Sequence, residues 1–144
     1  MSHIKLIEPE REYSIEGLQI MAKLMGAIMV KSKTWQWYGQ WVGDTPLPKE
    51  LILSDLNEVD YEISFPDATY SIGVKLKNNK IHLLYDFWRG GYGLETALGG
   101  SNCGKLKQHY NMAEALLTAK KQRRRLKEVE SPHKFGRRII IEMA

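Results

Sequence analysis

The sequence is poor in the residues that most often carry chemistry. It has one cysteine, Cys103, and four dispersed histidines, His3, His82, His109 and His133, which excludes a cysteine-based zinc framework and a disulfide scaffold. A lone cysteine agrees with a compartment that keeps thiols reduced. Long apolar runs are missing as well: the strongest, around Leu116 to Ala119, falls far short of the roughly 18 residues that cross a bilayer. The opening Met1, Ser2, His3, Ile4, Lys5 lacks the apolar stretch and cleavage site of a secretory signal. There is no Gly-x-Ser-x-Gly elbow and no accompanying pair of catalytic carboxylates. We therefore expect a cytoplasmic protein with no membrane segment, no metal and no cofactor, and composition identifies no reaction.

What is present is an ordinary globular composition. Of 144 residues, 43% are apolar and 26% charged, enough for one core and one domain spanning residues 1–144. Charge is unevenly placed: residues 1–72 hold six Lys and Arg against eleven Asp and Glu, and residues 73–144 hold fifteen against six. That polarity points to an acidic partner or anion on the C-terminal side, or to two halves that neutralise each other on folding.

Periodicity places the elements. His3 to Glu8 alternates as a first strand and stops at Pro9. Ser14 is an N-cap for a helix in which Ile15, Leu18, Met21, Ala22 and Met25 recur at three- and four-residue steps, with Gly26 suited to its C-terminal cap. A second strand is expected from Ala27 through Val30 toward Trp37. Residues 43–60 read as an acidic loop insertion holding a short helical turn, with Asp44, Glu50, Asp55, Glu58 and Asp60 among Gly43, Pro46 and Pro48. Tyr61, Ile63 and Phe65 belong to another strand.

The sharpest local signal is Asn78-Asn79, because asparagine tolerates the positive φ that both central residues of a type I′ hairpin turn require. With Lys77 facing Lys80, one face collects Tyr70, Ile72, Val74 and Leu76 opposite Phe87, Tyr85, Leu83 and Ile81, and a slip by one residue would scatter all eight. This register predicts that a charge is excluded at Leu83 and tolerated at Lys77. Six glycines from Gly90 to Gly104 make loop, with one turn of helix at Leu94 to Leu98. Leu106, Tyr110, Ala113, Leu116 and Leu117 then line a helical stripe over about residues 104 to 124, either continuous or broken near Asn111. Leu126 to Glu130 and Arg137 to Met143, around Ser131, Pro132 and Gly136, form a terminal β-hairpin.

Four features carry the functional readings. Gly99, Gly104 and Lys105 have the spacing of a phosphate-binding loop, but Leu106 stands where a magnesium-binding hydroxyl belongs. Cys103 and His109 suggest a nucleophile and base, or a packing residue beside a helix. Asp86 beside Trp88 offers an acid, or a strand-end cap of the following turn. Trp35, Trp37, Tyr38 and Trp41 put three of the four tryptophans within seven residues. They form either a stacking or docking face, or a half-buried cluster. Lys120, Lys121, Arg123, Arg124, Arg125 and Lys127 place six cations in eight positions. A helix dipole accounts for two or three. The rest await a phosphate backbone, an acidic partner or the chain's own 43–60 segment.

Asp86, Phe87 and Trp88, the run Gly104, Lys105, Leu106, Gln108 and Tyr110, the opening Met1, Ser2, His3 and the closing Ile139 to Glu142 together resemble one known family. It is the uncharacterised cyanobacterial and algal-plastid domain family first noted as hypothetical chloroplast open reading frame number thirty-five. The resemblance covers most of the chain, except residues 43–60 and the basic run. It implies a small α+β domain without known chemistry, in the cytoplasm or plastid stroma, with an ATPase component as a possible class of partner. It supplies no active-site residue.

The sequence thus reads as α+β: a mainly antiparallel sheet with two or three helices on one face and a C-terminal β-hairpin. The expected function is a non-catalytic accessory or adaptor module that binds a protein partner through the tryptophan region or the basic helix end. The alternative is nucleic-acid binding by Lys120 to Lys127, with Trp35 to Trp41 as stacking surface. An enzyme is the third reading.

Overall fold

In the structure, a computed structural model, residues 4–7, 12–39, 47–48 and 51–122 are described, together with the backbone of residues 125–130 and 137–142. Along the chain run β1 (Ile4–Leu6), α1 (Ile15–Leu24), β2 (Ile28–Lys31), α2 (Leu53–Asn57), β3 (Tyr61–Ser64), β4 (Ile72–Lys77), β5 (Lys80–Asp86), α3 (Leu94–Leu98), α4 (Gly104–Lys121), β6 (Arg125–Glu130) and β7 (Arg137–Glu142). The first five strands form one antiparallel sheet in the order β1-β5-β4-β3-β2, and β6 pairs with β7. The α+β class with an antiparallel sheet is as the sequence predicts.

The β4–β5 hairpin fixes the register of the sheet. Asn78 and Asn79 have φ of 55° and 62°, and Lys77 stands opposite Lys80, Val74 opposite Leu83. Ile72, Val74 and Leu83 are completely buried with Ile63 of β3, beneath Leu18 and Met21 of α1 and Leu106, Tyr110 and Ala113 of α4. Each such side chain contributes roughly 1.5–3 kcal/mol by leaving water. Leu76 departs from the expected eight-residue buried face: at 45% exposure it lies near the hairpin tip. Lys77 departs too, since its Nζ pairs with Asp55 Oδ2 at 2.6 Å.

The opposite face of the sheet carries a second, smaller core. Ile4 and Leu84 meet Trp35, Leu51, Leu56 and Val59 there. Gly73 in the middle of β4 makes this possible, because a Cβ at that position would lie 2.9 Å from the Trp35 ring. The Trp35 indole N–H donates to the Leu56 carbonyl at 2.9 Å, and Ser71 holds the adjacent backbone by exchanging hydrogen bonds with Gln36. The expected strand toward Trp37 therefore ends at Lys31. Ser32 closes a local turn, its hydroxyl donating to the Thr34 carbonyl at 2.7 Å, and the chain leaves the sheet edge to cross this face.

α4 runs without a break through Asn111, as one continuous apolar stripe requires. It ends at Lys121, so the basic run is divided: Arg125 and Lys127 belong to β6, opposite Glu142 and Ile140 in the register. The short helix expected inside residues 43–60 is α2, while residues 43–46 and 49–50 lie outside the described residues.

Candidate functional site

α1 begins where the sequence places it. The Ser14 hydroxyl accepts the Gly17 N–H at 3.0 Å, satisfying one of the amides that a helix start leaves open. The same residue locks α1 to α4: its N–H donates to the Tyr110 oxygen at 2.8 Å and its hydroxyl to Glu114 Oε1 at 3.3 Å. The Tyr110 hydroxyl donates to Glu114. Burial, and then this bond to a carboxylate, push the Tyr110 phenol up to about 12. Gly17 leaves room for this network at the crossing, because a Cβ there would lie 2.8 Å from Glu114 Oε1 and 3.0 Å from the phenol oxygen and would displace them.

From that junction the two helices run side by side in the same direction. Between them lies a groove of about 700 Å³ lined by Glu16, Gln19, Ile20, Lys23, Leu116, Leu117 and Lys120. Leu117 is buried, Ile20 and Leu116 are half-buried, and the polar side chains are exposed. Seven residues of helix separate Glu16 from Lys23, roughly 10 Å at 1.5 Å per residue. The groove therefore has an apolar floor, a carboxylate at one end and two ammonium groups at the other. Lys121 follows at the positive end.

The structure places the expected contact residues in different settings. Lys120 and Lys121 are exposed on the last turn of α4, and neither has a carboxylate partner among the described residues. Arg123, Arg124 and Trp41, like the side chains of Arg125 and Lys127, lie outside the described residues. Trp35 is only 4% exposed and is a core residue, which corrects its reading as a contact. Trp37 is half-buried and stacks on it, with centroids 5.6 Å apart. Tyr38 is 39% exposed and meets Trp88 edge-on at 6.2 Å.

Trp35 and α4 pack against opposite faces of the sheet. The single surface of aromatic and basic residues that the nucleic-acid reading requires is therefore not assembled among the described residues. Among the described residues, the 51–60 part of the acidic insertion makes no ion pair with Lys120 or Lys121. Asp55 pairs with Lys77, the Glu58 carbonyl accepts from Lys75, and Asp60 accepts the Leu76 N–H. Burial alone would raise the Asp55 carboxyl, but the Ile52 N–H and the two lysines outweigh it and hold it below its ordinary value.

The catalytic candidates resolve into structure. Cys103 is 2% exposed, and burial pushes its thiol up to about 11, the opposite of what a nucleophile needs. His109 points Nδ1 at the Lys105 carbonyl, 2.7 Å away. Asp86 accepts the Trp88 N–H at 2.9 Å, the strand-end cap, and also the Tyr38 N–H at 3.1 Å. The loop before α4 follows a helix rather than a strand, Gly99 packs against the Lys105 amide, and Asn102 accepts the Gly104 N–H.

Among the described residues no three His, Cys, Asp or Glu side chains are grouped to hold a metal, and no helix is long and apolar enough to cross a membrane. No protein-family model matches the chain, and no curated protein and no solved structure matches it.

The α1 half of the groove is what sequence reasoning missed. Its signal was available: Gln19, Ile20 and Lys23 flank the buried stripe of Leu18, Met21 and Ala22, and a half-polar flank is where a second surface can dock.

Proposed function

We propose that this protein is a non-catalytic accessory module that docks an acidic segment of a protein partner in the groove between α1 and α4. The observation that carries the reading is the apolar floor of Ile20, Leu116 and Leu117 ending at Lys23 and Lys120. Clustered cations repel one another, and two carboxylates of the 51–60 segment are engaged by β4, Asp55 by Lys77 and Asp60 by the Leu76 N–H. The counter-charge in this reading is supplied from outside. A helix laying apolar side chains at three- and four-residue spacing into the groove, with Glu or Asp toward Lys23 and Lys120, uses a familiar recognition mode. The family resemblance suggests an ATPase component as one class of protein to carry such a segment.

The test is fluorescence anisotropy with a labelled amphipathic peptide bearing leucines on one face and glutamates at one end. Binding should saturate, should fall at least tenfold in Leu116→Asp, and should survive an excess of single-stranded DNA. Equal binding by wild type and Leu116→Asp, with both folded by circular dichroism, contradicts the assignment.

A further inference from the structure

We propose that the corner following β5 binds a nucleotide unit, with the base stacked on Trp88 and the phosphate held by Lys5 and Arg89. The backbone there is unusual. Arg89, Gly90, Gly91 and Tyr92 have φ of 51°, 67°, 63° and 50°, a left-handed turn that is disfavoured for the two residues carrying side chains. The surroundings impose it. Gly90 N–H donates to Phe87 O at 2.7 Å, Thr69 N–H to Tyr92 O at 3.1 Å and Tyr70 N–H to Gly91 O at 3.2 Å, while a side chain at Gly93 would strike the Asp67 carbonyl. The buried Asp86 carboxylate fixes the start of the turn through the Trp88 N–H. Strain held this firmly is a common property of binding sites.

Beside the turn opens a cleft of about 370 Å³ lined by Lys5, Phe87, Trp88, Arg89, Glu95 and Ser101, within the size range of small-ligand pockets. Its wall is aromatic: Trp88 is half-buried and braced edge-on by Tyr38. The Arg89 guanidinium carbon lies 5.8 Å from the Trp88 ring centroid, which sets a cation beside the aromatic wall. Lys5 and Arg89 are exposed, and among the described residues neither is paired with a carboxylate. Two cations beside an aromatic face suit a phosphate attached to a base, since every base offers a stacking face and phosphate accepts charge-assisted hydrogen bonds. Glu95 adds an acceptor for a base edge carrying N–H donors, and Ser101 a hydroxyl for the sugar. Guanine, with adjacent N1–H and amino donors, matches a carboxylate best.

Calorimetric titration of the full chain with guanosine 5′-monophosphate, guanosine and inorganic phosphate tests this. The monophosphate should bind saturably below millimolar concentration and more tightly than either fragment. Trp88→Ala should weaken it about tenfold, in keeping with the loss of one stacked base. Arg89→Gly is the decisive variant, because glycine takes the positive φ without strain. It should raise the melting temperature while weakening binding severalfold, a pair of signs that misfolding cannot produce. A 5′-phosphorylated single-stranded oligomer distinguishes the sources: much tighter binding than the monophosphate marks a strand, and equal binding marks a free nucleotide. No saturable heat up to millimolar monophosphate overturns the proposal. So does inorganic phosphate binding as tightly, or an Arg89→Gly protein of unchanged affinity.

Discussion

The backbone N–H of Ser14 donates to the Tyr110 phenol oxygen at 2.8 Å, across 96 residues of chain, so the start of α1 is fixed by a side chain in the middle of α4. This contact sets the spacing of the helices, and with it the groove between Lys23 and Lys120.

Tyr110→Phe leaves the Ser14 N–H and Glu114 without that oxygen and should destabilise the fold by about 1–3 kcal/mol. Gly17→Ala should also destabilise it, by about 1–3 kcal/mol from overpacking, although alanine favours helix over glycine by about 1 kcal/mol. Urea melts of both proteins check the pair. A stabilised Gly17→Ala protein would mean that the helix crossing is looser than described.

Alkaline pH should weaken the fold through three buried acids. Burial pushes Tyr85 and Tyr110 up to about 12 and Cys103 up to about 11. In the folded state each keeps its proton to a higher pH than in the unfolded chain, so its contribution is fully present below its ordinary value. It is lost as pH rises through the folded value. Thermal melts should therefore fall from about pH 9 upward, and Cys103→Ala should flatten the first part of that limb. An unchanged alkaline limb in the Cys103, Tyr85 and Tyr110 variants would contradict this.

Gly73→Val should push the Trp35 indole off β4 and cost about 1–3 kcal/mol, despite the higher strand propensity of valine. Tryptophan emission should shift to the red as the ring gains water. Gly26→Ala, where a Cβ meets nothing within 4 Å but φ is 70°, isolates the backbone effect and should leave emission unchanged.

Leu83→Asp should cost more than about 2 kcal/mol, since it buries a charge in place of a core side chain. Lys77→Asp is not silent, because it sets a second carboxylate against Asp55. The Asp55 carboxyl is held below its ordinary 3.8, so its contribution is present above that value and lost as pH falls through the lower folded one. Asp55→Asn should therefore reduce the acid-side loss of stability, as measured by melts below about pH 5.

The hairpin, α1 and α3 were legible because turn chemistry and periodicity are local. Asn78 and Asn79 announce their own φ, and Ser14 with Leu18, Met21 and Ala22 announces a capped amphipathic helix. The second core was not legible, because Trp35, Leu51, Leu56 and Val59 come from segments without period and find Ile4 and Leu84 only through the fold. The same holds for Lys77, whose partner Asp55 lies 22 residues away. The left-handed turn was hidden differently: Gly90 and Gly91 signal a loop, but nothing local says that Arg89 and Tyr92 share the glycine conformation. The groove needed two helices far apart in sequence, of which only the Leu116, Leu117 and Lys120 side was read.

The most direct measurement of the docking claim is a charge-swap cycle between the groove and the acidic amphipathic peptide. Lys23→Glu with Lys120→Glu should weaken the glutamate-bearing peptide at least tenfold at low salt, and should restore affinity to a peptide with lysines in the same places. Both effects should shrink as salt screens the rim. If the doubly reversed protein still prefers the acidic peptide, or if neither peptide distinguishes it from wild type, the groove between α1 and α4 is not where an acidic partner docks.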